Sequence, residues 1–342
     1  MTVGLGIVGC GYWGPNLVRN FLALPGVEVI SLCDQDIQRA EALNKRFGGS
    51  ARVTDNYDEL IDDPDIRAVI IATPIASHYI LAKRALMAGK HAFVEKPLTA
   101  VATEAQELIS LADEMALVLM VGHVFIYNAA VQWVKRFIDS GELGRIFYVQ
   151  STRVNLGRIQ QTTNPLWSFA PHDISILNYW FDSGPKQITT RGFSFLNKGV
   201  EDVIYMTLEY PGNIGAALHL GWLEPRKVRQ MTVVGSRKML IYDDVSLDSK
   251  IQVYDKGVQG LDEFLEAPHS YAEFSFDLRK GDVRIPHLNF SEPLRTECTH
   301  FIECIEKGGR PVTDGENGLS VVRVLEAAEL SLRRNGAPID IS

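Results

Sequence analysis

Gly9-Cys10-Gly11-Tyr12-Trp13-Gly14 decides the fold of this chain, because it joins a β-rich run, Val3–Val8, to a helical pattern, Asn16–Leu24. A glycine triplet by itself is a weak signal. Here it closes a strand and opens a helix, and a second β-rich run, Val27–Cys33, ends at Asp34, twenty residues beyond Gly14. That is the context of a dinucleotide-binding turn. Gly9 permits the tight turn, Gly11 lets the backbone approach a pyrophosphate, and Gly14 allows close packing of helix on strand. The free N–H groups and positive end of the helix dipole then face the phosphates. Asp34 can accept hydrogen bonds from ribose hydroxyls and repels a 2′-phosphate, which favours NAD over NADP. Arg39 works against that preference, since an arginine can meet a phosphate.

Outward from this turn the first third of the chain keeps alternating. Strand-like runs at Ala68–Ala72, His91–Val94 and Leu117–Val121 are separated by helical patterns at Asp36–Phe47, Ser77–Ala88 and Val101–Glu114. The alternation predicts a doubly wound parallel sheet of the Rossmann type over residues 1–122. After a helical stretch at Tyr127–Ser140 the pattern changes. Strand-like runs follow at Ile146–Val154, Gln187–Phe195, Val203–Tyr210, Ile214–Leu223 and Arg229–Val234, with no regular helices between them. Two amphipathic stretches, Glu292–Glu306 and Gly318–Arg334, close the chain. The fold class is therefore α/β plus α+β. A second domain, 123–342, carries an open, mainly antiparallel sheet and the C-terminal helices.

Bulk properties narrow the function. At 342 residues the chain suits two cores. A net charge of −8 disfavours nucleic acid or an anionic membrane as the main partner. No apolar run reaches the length of a membrane span, and the chain enters a strand at once without a basic leader, which reads as cytoplasmic. Cys10, Cys33, Cys298 and Cys304 show no paired or metal-ligand spacing and read as reduced and buried. The eight histidines are scattered, so no metal site is expected.

Three further stretches lie at the ends of strands in the sheet: Ala72-Thr73-Pro74 with His78, Glu95-Lys96-Pro97, and Gly122-His123. Open α/β sheets bind ligands at such ends. With the glycine turn, these stretches resemble the glucose-fructose oxidoreductase/inositol dehydrogenase/MocA family of NAD(P)-dependent sugar and cyclitol oxidoreductases. The resemblance runs nearly end to end. Gly9–Phe21, Ser151–Gly157, Ala170–Leu177, Glu292–Glu297 and Arg310–Leu332 are similar to the branch containing UDP-N-acetylglucosamine 3-dehydrogenase-like enzymes.

The resemblance implies roles. Lys96 would sit beside the nicotinamide and the reacting carbinol, stabilising charge on the substrate oxygen or taking its proton; by default a lysine after a strand is a solvated one. A cis bond is implied before Pro97. His172 would be the general base, although a lone histidine among apolar residues is more often structural. The family places an aspartate four residues before it, where this chain has Ser168, and an i,i+4 pair shares a helix face. Serine can hydrogen-bond the imidazole but cannot stabilise its charged form. Asp173, the next residue, would point away from it.

Gly9, Gly11, Gly14, Tyr12, Trp13, Asp34, Arg39, Thr73, Pro74, His78, Glu95, Lys96, Pro97 and His123 are thus the candidate cofactor residues. Tyr12 and Trp13 either stack near the cofactor or cap the core. Asn128, Arg153, Asn155, Arg158, Trp167 and Ser168, with Lys96 and His172, are the candidate substrate residues. Alternation turns Arg153 and Asn155 to one face, where an arginine can meet a diphosphate or a carboxylate; a solvated face or a subunit salt bridge is the alternative. Trp167 is a sugar-facing wall or an interface anchor. The implied activity is NAD-dependent oxidation of a secondary hydroxyl, at C3 of a UDP-linked N-acetylamino sugar, giving a 3-keto sugar for amino-sugar and polysaccharide biosynthesis. Reduction of a nucleotide keto-sugar and oxidation of inositol or a free sugar are the enzymatic alternatives, and an NAD-bound sensor or regulatory subunit is the non-enzymatic one. A homo-oligomer, dimer or tetramer, through the C-terminal sheet is expected.

Overall fold

In the computed structural model, residues 2–157, 159–160, 163–258 and 278–341 are described. The chain divides into two compact units. The first comprises Met1–Tyr127 with Ser291–Arg323, and the second Asn128–Phe290 with Val324–Ser342.

The first unit is a six-stranded, wholly parallel sheet ordered β3-β2-β1-β4-β5-β6. Its strands are β1 (Val3–Val8), β2 (Val27–Cys33), β3 (Arg52–Thr54), β4 (Ala68–Ile71), β5 (His91–Glu95) and β6 (Leu119–Gly122). Helices α1 (Gly14–Leu22), α2 (Ile37–Arg46), α3 (Tyr57–Ile61), α4 (His78–Met87) and α5 (Ala102–Glu114) connect them. Strands β1 and β4 are buried at every position, as expected of parallel strands covered on both faces. The order reverses between β1 and β4, so the strand ends there open a ligand crevice. The sequence pattern missed β3, whose three residues, only one of them buried, carry too little signal.

The helix α8 (Pro293–Lys307) packs with this unit, whereas the sequence reading kept all of 123–342 together. Its Phe301 makes edge contacts with Phe21 of α1 and Phe93 of β5, at ring-centroid distances of 6.4 and 5.6 Å. Each such pair contributes about 0.5–1.5 kcal/mol beyond area burial. Arg19 of α1 also pairs with Glu292 at the start of α8. Pairing so remote in sequence has no local pattern.

Among the described residues, the second unit holds a nine-stranded sheet ordered β14-β13-β12-β11-β7-β10-β9-β8-β15. Its strands are β7 (Ile146–Val154), β8 (Gln187–Phe193), β9 (Val203–Tyr210), β10 (Ile214–Gly221), β11 (Val228–Gly235), β12 (Met239–Asp243), β13 (Ile251–Val258), β14 (Leu278–Arg284) and β15 (Ile339–Asp340). Every ladder is antiparallel except β7 with β10. In β9, Ile204, Met206, Leu208 and Tyr210 are buried while Tyr205, Thr207 and Glu209 are exposed, so one face is covered and the other open.

Helices α6 (Ala129–Asp139) and α7 (Pro165–Phe181) belong to this unit, and α9 (Gly315–Arg333) is divided between the two. The 17-residue α7 corrects the expectation of no regular helix between the strands. Eleven of its residues are buried, so it lacks the polar stripe by which an amphipathic helix is read, and Pro171 sits in its interior. Local chemistry still marks its ends. The Asn164 side chain caps the Trp167 N–H, Pro165 occupies the first turn, and Asp182 leaves the helix in the left-handed conformation.

Candidate functional site

The site residues of the first unit gather at the C-terminal ends of β1, β2, β4, β5 and β6. Gly9 has φ +98°, and a Cβ on it would lie 2.5 Å from the Ala72 carbonyl oxygen. A Cβ on Gly14 would lie 2.2 Å from the Gly9 carbonyl oxygen, so strand and helix meet here more closely than any side chain allows. Around Gly11 the space is open to 4 Å, which is the cradle a pyrophosphate needs. Trp13 stands at the N-cap of α1 with no side-chain cap; Pro15 carries no N–H and the Asn16 N–H donates to the Trp13 carbonyl at 2.9 Å, so what this end offers a ligand is mainly the positive end of the helix dipole. Asp34 is fixed by two backbone donors: Cys10 N–H reaches Oδ2 at 2.7 Å and Asp36 N–H reaches Oδ1 at 2.9 Å. Each oxygen retains a lone pair for a ribose hydroxyl. These residues fit NAD. Arg39 is exposed and paired with Asp36 at 3.1 Å. Tyr12 is 82% exposed. The buried thiols of Cys10 and Cys33 are pushed up to about 12 and about 11, chiefly by burial, which makes them unreactive.

His78 is buried at the start of α4. Its Nδ1 meets the Pro97 carbonyl and its Nε2 the Thr73 carbonyl, each at 2.8 Å. It therefore ties the loop after β4 to the loop after β5, and burial lowers its pKa despite the two carbonyls. Thr73 Oγ1 in turn accepts from Ser77 Oγ at 2.8 Å, while Pro74 is exposed. The Lys96–Pro97 bond is cis.

Glu95 ends β5 with its carboxyl turned against Gly122, where an added Cβ would come within about 3.0 Å. The Lys96 N–H donates to Glu95 Oε2 at 3.2 Å. Burial raises the Glu95 pKa to about 7, although Lys96 and the Trp13 indole N–H both favour the ionised form. After β6, buried His123 donates from Nδ1 to Asn317 Oδ1 at 2.7 Å. Its Nε2 has no hydrogen-bond partner among the described residues, and burial, with Lys96 adding to it, holds its pKa down to about 4. His123 is thus a neutral acceptor.

Sequence reasoning missed two residues of this neighbourhood. Asn317, at the start of α9, fixes the His123 tautomer. Glu297 of α8 is fully buried with neither carboxyl oxygen paired among the described residues, and burial together with Glu95 raises its pKa well above the ordinary value. Glu297 lies three residues after Leu294 and four before Phe301, on the apolar side of a helical pattern, and that was the available signal.

In the second unit the candidates separate. His172 and Ser168 lie four residues apart on α7, both half-buried, and share a helix face. Asp173 does turn away from His172: it is 1% exposed and takes the guanidinium of Arg153. Arg153 is thereby buried and committed to a carboxylate within the fold, which departs from the expectation of an arginine presented to a substrate anion. Burial works against its charge, yet Asp173 outweighs it and its pKa is raised. Asn128 is also committed: its Oδ1 caps α6 through the Ala130 N–H at 2.9 Å and its Nδ2 reaches Asp244 at 3.5 Å. Asn155 falls just beyond β7, half-buried, its N–H on the Gly221 carbonyl. The Trp167 indole donates to Glu329 at 3.3 Å. Arg158 lies outside the described residues.

Comparison with known proteins assigns the lineage. The family model described as "Oxidoreductase family, NAD-binding Rossmann fold" matches residues 3–123, and that of the GFO/IDH/MocA C-terminal domain matches residues 131–241. The chain belongs to the Gfo/Idh/MocA oxidoreductase family. Its first unit carries the family's NAD-binding domain. Among curated Gfo/Idh/MocA relatives, the inositol 2-dehydrogenase of Salmonella typhimurium is 29% identical over 192 residues, 55% of this chain and 57% of that protein's own length. Two solved structures share the fold over almost all of both chains. The UDP-N-acetylglucosamine 3-dehydrogenase GnnA of Acidithiobacillus ferrooxidans has TM-score 0.82 at 19% identity, covering 98% of this chain and 99% of its own. A levoglucosan dehydrogenase in complex with NADH and levoglucosan has TM-score 0.83 at 18% identity, covering 100% of each chain. Among the described residues, no helix is long and apolar enough to cross a membrane.

Proposed function

We propose that this oxidoreductase oxidises a secondary hydroxyl of a sugar with NAD, the substrate being a UDP-linked N-acetylamino sugar and the product its 3-keto form. The observation that carries the reading is Lys96, set at the C-terminal end of β5 in a sheet whose β1 end is a fitted dinucleotide cradle. Bound NAD supplies the hydride acceptor. The chain supplies positioning and proton handling. The Lys96 ammonium hydrogen-bonds the reacting oxygen and stabilises the charge that develops on it. His172 takes the hydroxyl proton at a ring nitrogen. Asp34 holds the adenosine ribose, and His78 fixes the loops carrying Thr73 and Pro97.

The UDP-sugar assignment rests on the motifs similar to the UDP-N-acetylglucosamine 3-dehydrogenase-like branch. A second reading, oxidation of a cyclitol or free sugar, is favoured by one observation: Arg153, the arginine expected to meet a diphosphate, is paired with Asp173. Tyr148, Phe193 and Tyr205, all exposed on the open face of the second sheet, support a homo-oligomer formed through it; light scattering should give a mass above the monomer. The deciding experiment follows NADH absorbance with UDP-N-acetylglucosamine, its uronic acid, other nucleotide sugars, inositol and free sugars, each with and without a 2-oxo acid to recycle bound NADH. Turnover with a UDP-sugar supports the first reading, and turnover with inositol or free sugars alone supports the second. Silence throughout from protein that binds NAD overturns both.

A further inference from the structure

Strand β7 and helix α7 are joined by a buried ionic cluster. Arg153 Nε donates to Asp173 Oδ2 at 2.6 Å, Arg153 Nη2 to Oδ1 at 3.2 Å, and Ser151 Oγ to Oδ1 at 3.0 Å. Ser151 and Asp173 are each 1% exposed and Arg153 is 5% exposed. Ser151 and Arg153 are two apart on β7 and so present one face of the strand to a single carboxylate. A buried ion pair stabilises a fold little more than well-packed apolar residues would, and its best-attested use is to fix one arrangement.

The place of this cluster matters. Asp173 follows His172 directly and lies two residues after Pro171, which sits inside α7. Proline has no N–H, so the Trp167 carbonyl loses its helical donor and the turn carrying His172 is less fixed by the helix itself. Ser175 Oγ donates to the His172 carbonyl at 2.9 Å, a further local tie at this turn. Adjacent helical residues point roughly 100° apart. Asp173 therefore cannot act on the imidazole directly, but anchoring it to β7 sets the angle at which His172 leaves the helix. A displacement of about 1 Å at a reacting group can cost about 10²-fold in rate.

We propose that Arg153, Asp173 and Ser151 are positioning residues that clamp the Pro171 turn of α7 and thereby aim His172. The inference rests on the reading of His172 as proton acceptor. It also assigns Arg153 to the enzyme's own carboxylate and not to a substrate anion.

Three variants test it. Asp173→Asn keeps the shape and removes the charge; kcat should fall about 10- to 100-fold while the Kd for NAD, set in the other unit, stays unchanged. Arg153→Met/Asp173→Leu replaces the pair by apolar residues; Tm should match or exceed that of Asp173→Asn while kcat stays low. Recovery of kcat together with Tm overturns the clamp and leaves the pair a merely structural one. Ser151→Ala removes a single hydrogen bond and should give a smaller loss in the same direction.

An independent readout needs no substrate. In protein labelled with 15N-histidine, the resonances of His172, assigned by their loss in His172→Gln, should shift in Asp173→Asn and less in Ser151→Ala. Unchanged His172 resonances in both overturn the proposal, even if the double variant does not fold. Should the parent show no turnover with any sugar, the dehydrogenase reading fails by itself, and the histidine resonances still decide whether the clamp exists.

Discussion

The two regions that carry Lys96 and His172 are built on opposite plans. Around Lys96 the backbone does the positioning: glycines at 9 and 14 in mutual contact, a cis Lys96–Pro97 bond, and His78 bound to two carbonyls. Around His172 side chains do it, with a buried arginine and carboxylate reaching from strand to helix. Parallel strands that end in short turns can hold a ligand with main-chain groups, because their ends converge and their N–H groups point outward. A helix whose main-chain groups are spent internally must be fixed from outside. Titratable groups differ accordingly. Half-buried Glu95 and buried Glu297, His78 and His123 have shifted pKa values in the first region, whereas beside His172 the buried charges of Arg153 and Asp173 pair with each other.

The sharpest way to break this comparison is at Lys96. Lys96→Ala should lower kcat by about 10²–10⁴-fold and leave NAD affinity, read by fluorescence titration, within about twofold because the cradle is backbone. Full turnover would remove Lys96 from the chemistry. Next come the glycines. Gly11→Val should weaken NAD binding about 10²-fold with Tm unchanged, since its side chain enters open space where a bound pyrophosphate would lie. Gly9→Ala should lose about 2 kcal/mol or more of stability as well, from its positive φ and the clash with Ala72. Equal effects of the two on Tm would contradict the distinction between cradle and turn.

Glu95 gives a pH signature. Glu95 titrates near 7 in the fold against an ordinary 4.5, so the unfolded chain releases that proton first. Its contribution is fully present below pH 4.5 and lost as pH rises to about 7. Glu95→Gln should therefore match the parent at pH 4 and exceed it at pH 8, by about 3 kcal/mol in denaturant unfolding. A variant with the same pH slope as the parent would show that the carboxyl is not the source. The smallest effect belongs to Ser168→Asp. A carboxylate one turn from His172 favours imidazolium, so the acid limb of kcat should move up by about one pH unit with the maximum little changed. An unmoved limb would mean that the two side chains do not meet on α7.

What could be read from the sequence follows the same division. The glycine turn and Asp34 were legible because they form a local pattern whose chemistry is fixed by spacing along one strand and the next turn, and the strand-end motifs were legible through the family resemblance they carry. Helix α7 was obscured: it is buried nearly all round and carries Pro171, so the period that marks a helix is missing. Arg153 and Asn128 were read as substrate residues, because their partners within the fold, Asp173 and Asp244, lie 20 and 116 residues away.

By itself the sequence determined the α/β and α+β order and the dinucleotide cradle, since these depend on short-range geometry, while Lys96 and His172 were singled out by the family resemblance. Tertiary structure alone decided that α8 packs on the first sheet through Phe301, that Glu297 is buried with no partner among the described residues, that Asn317 fixes His123, and that Arg153 serves a carboxylate within the fold. Burial and partner choice are properties of the packed interior, where a charge must find a counter-charge or give up its ionisation, and no local pattern records which group will be within reach.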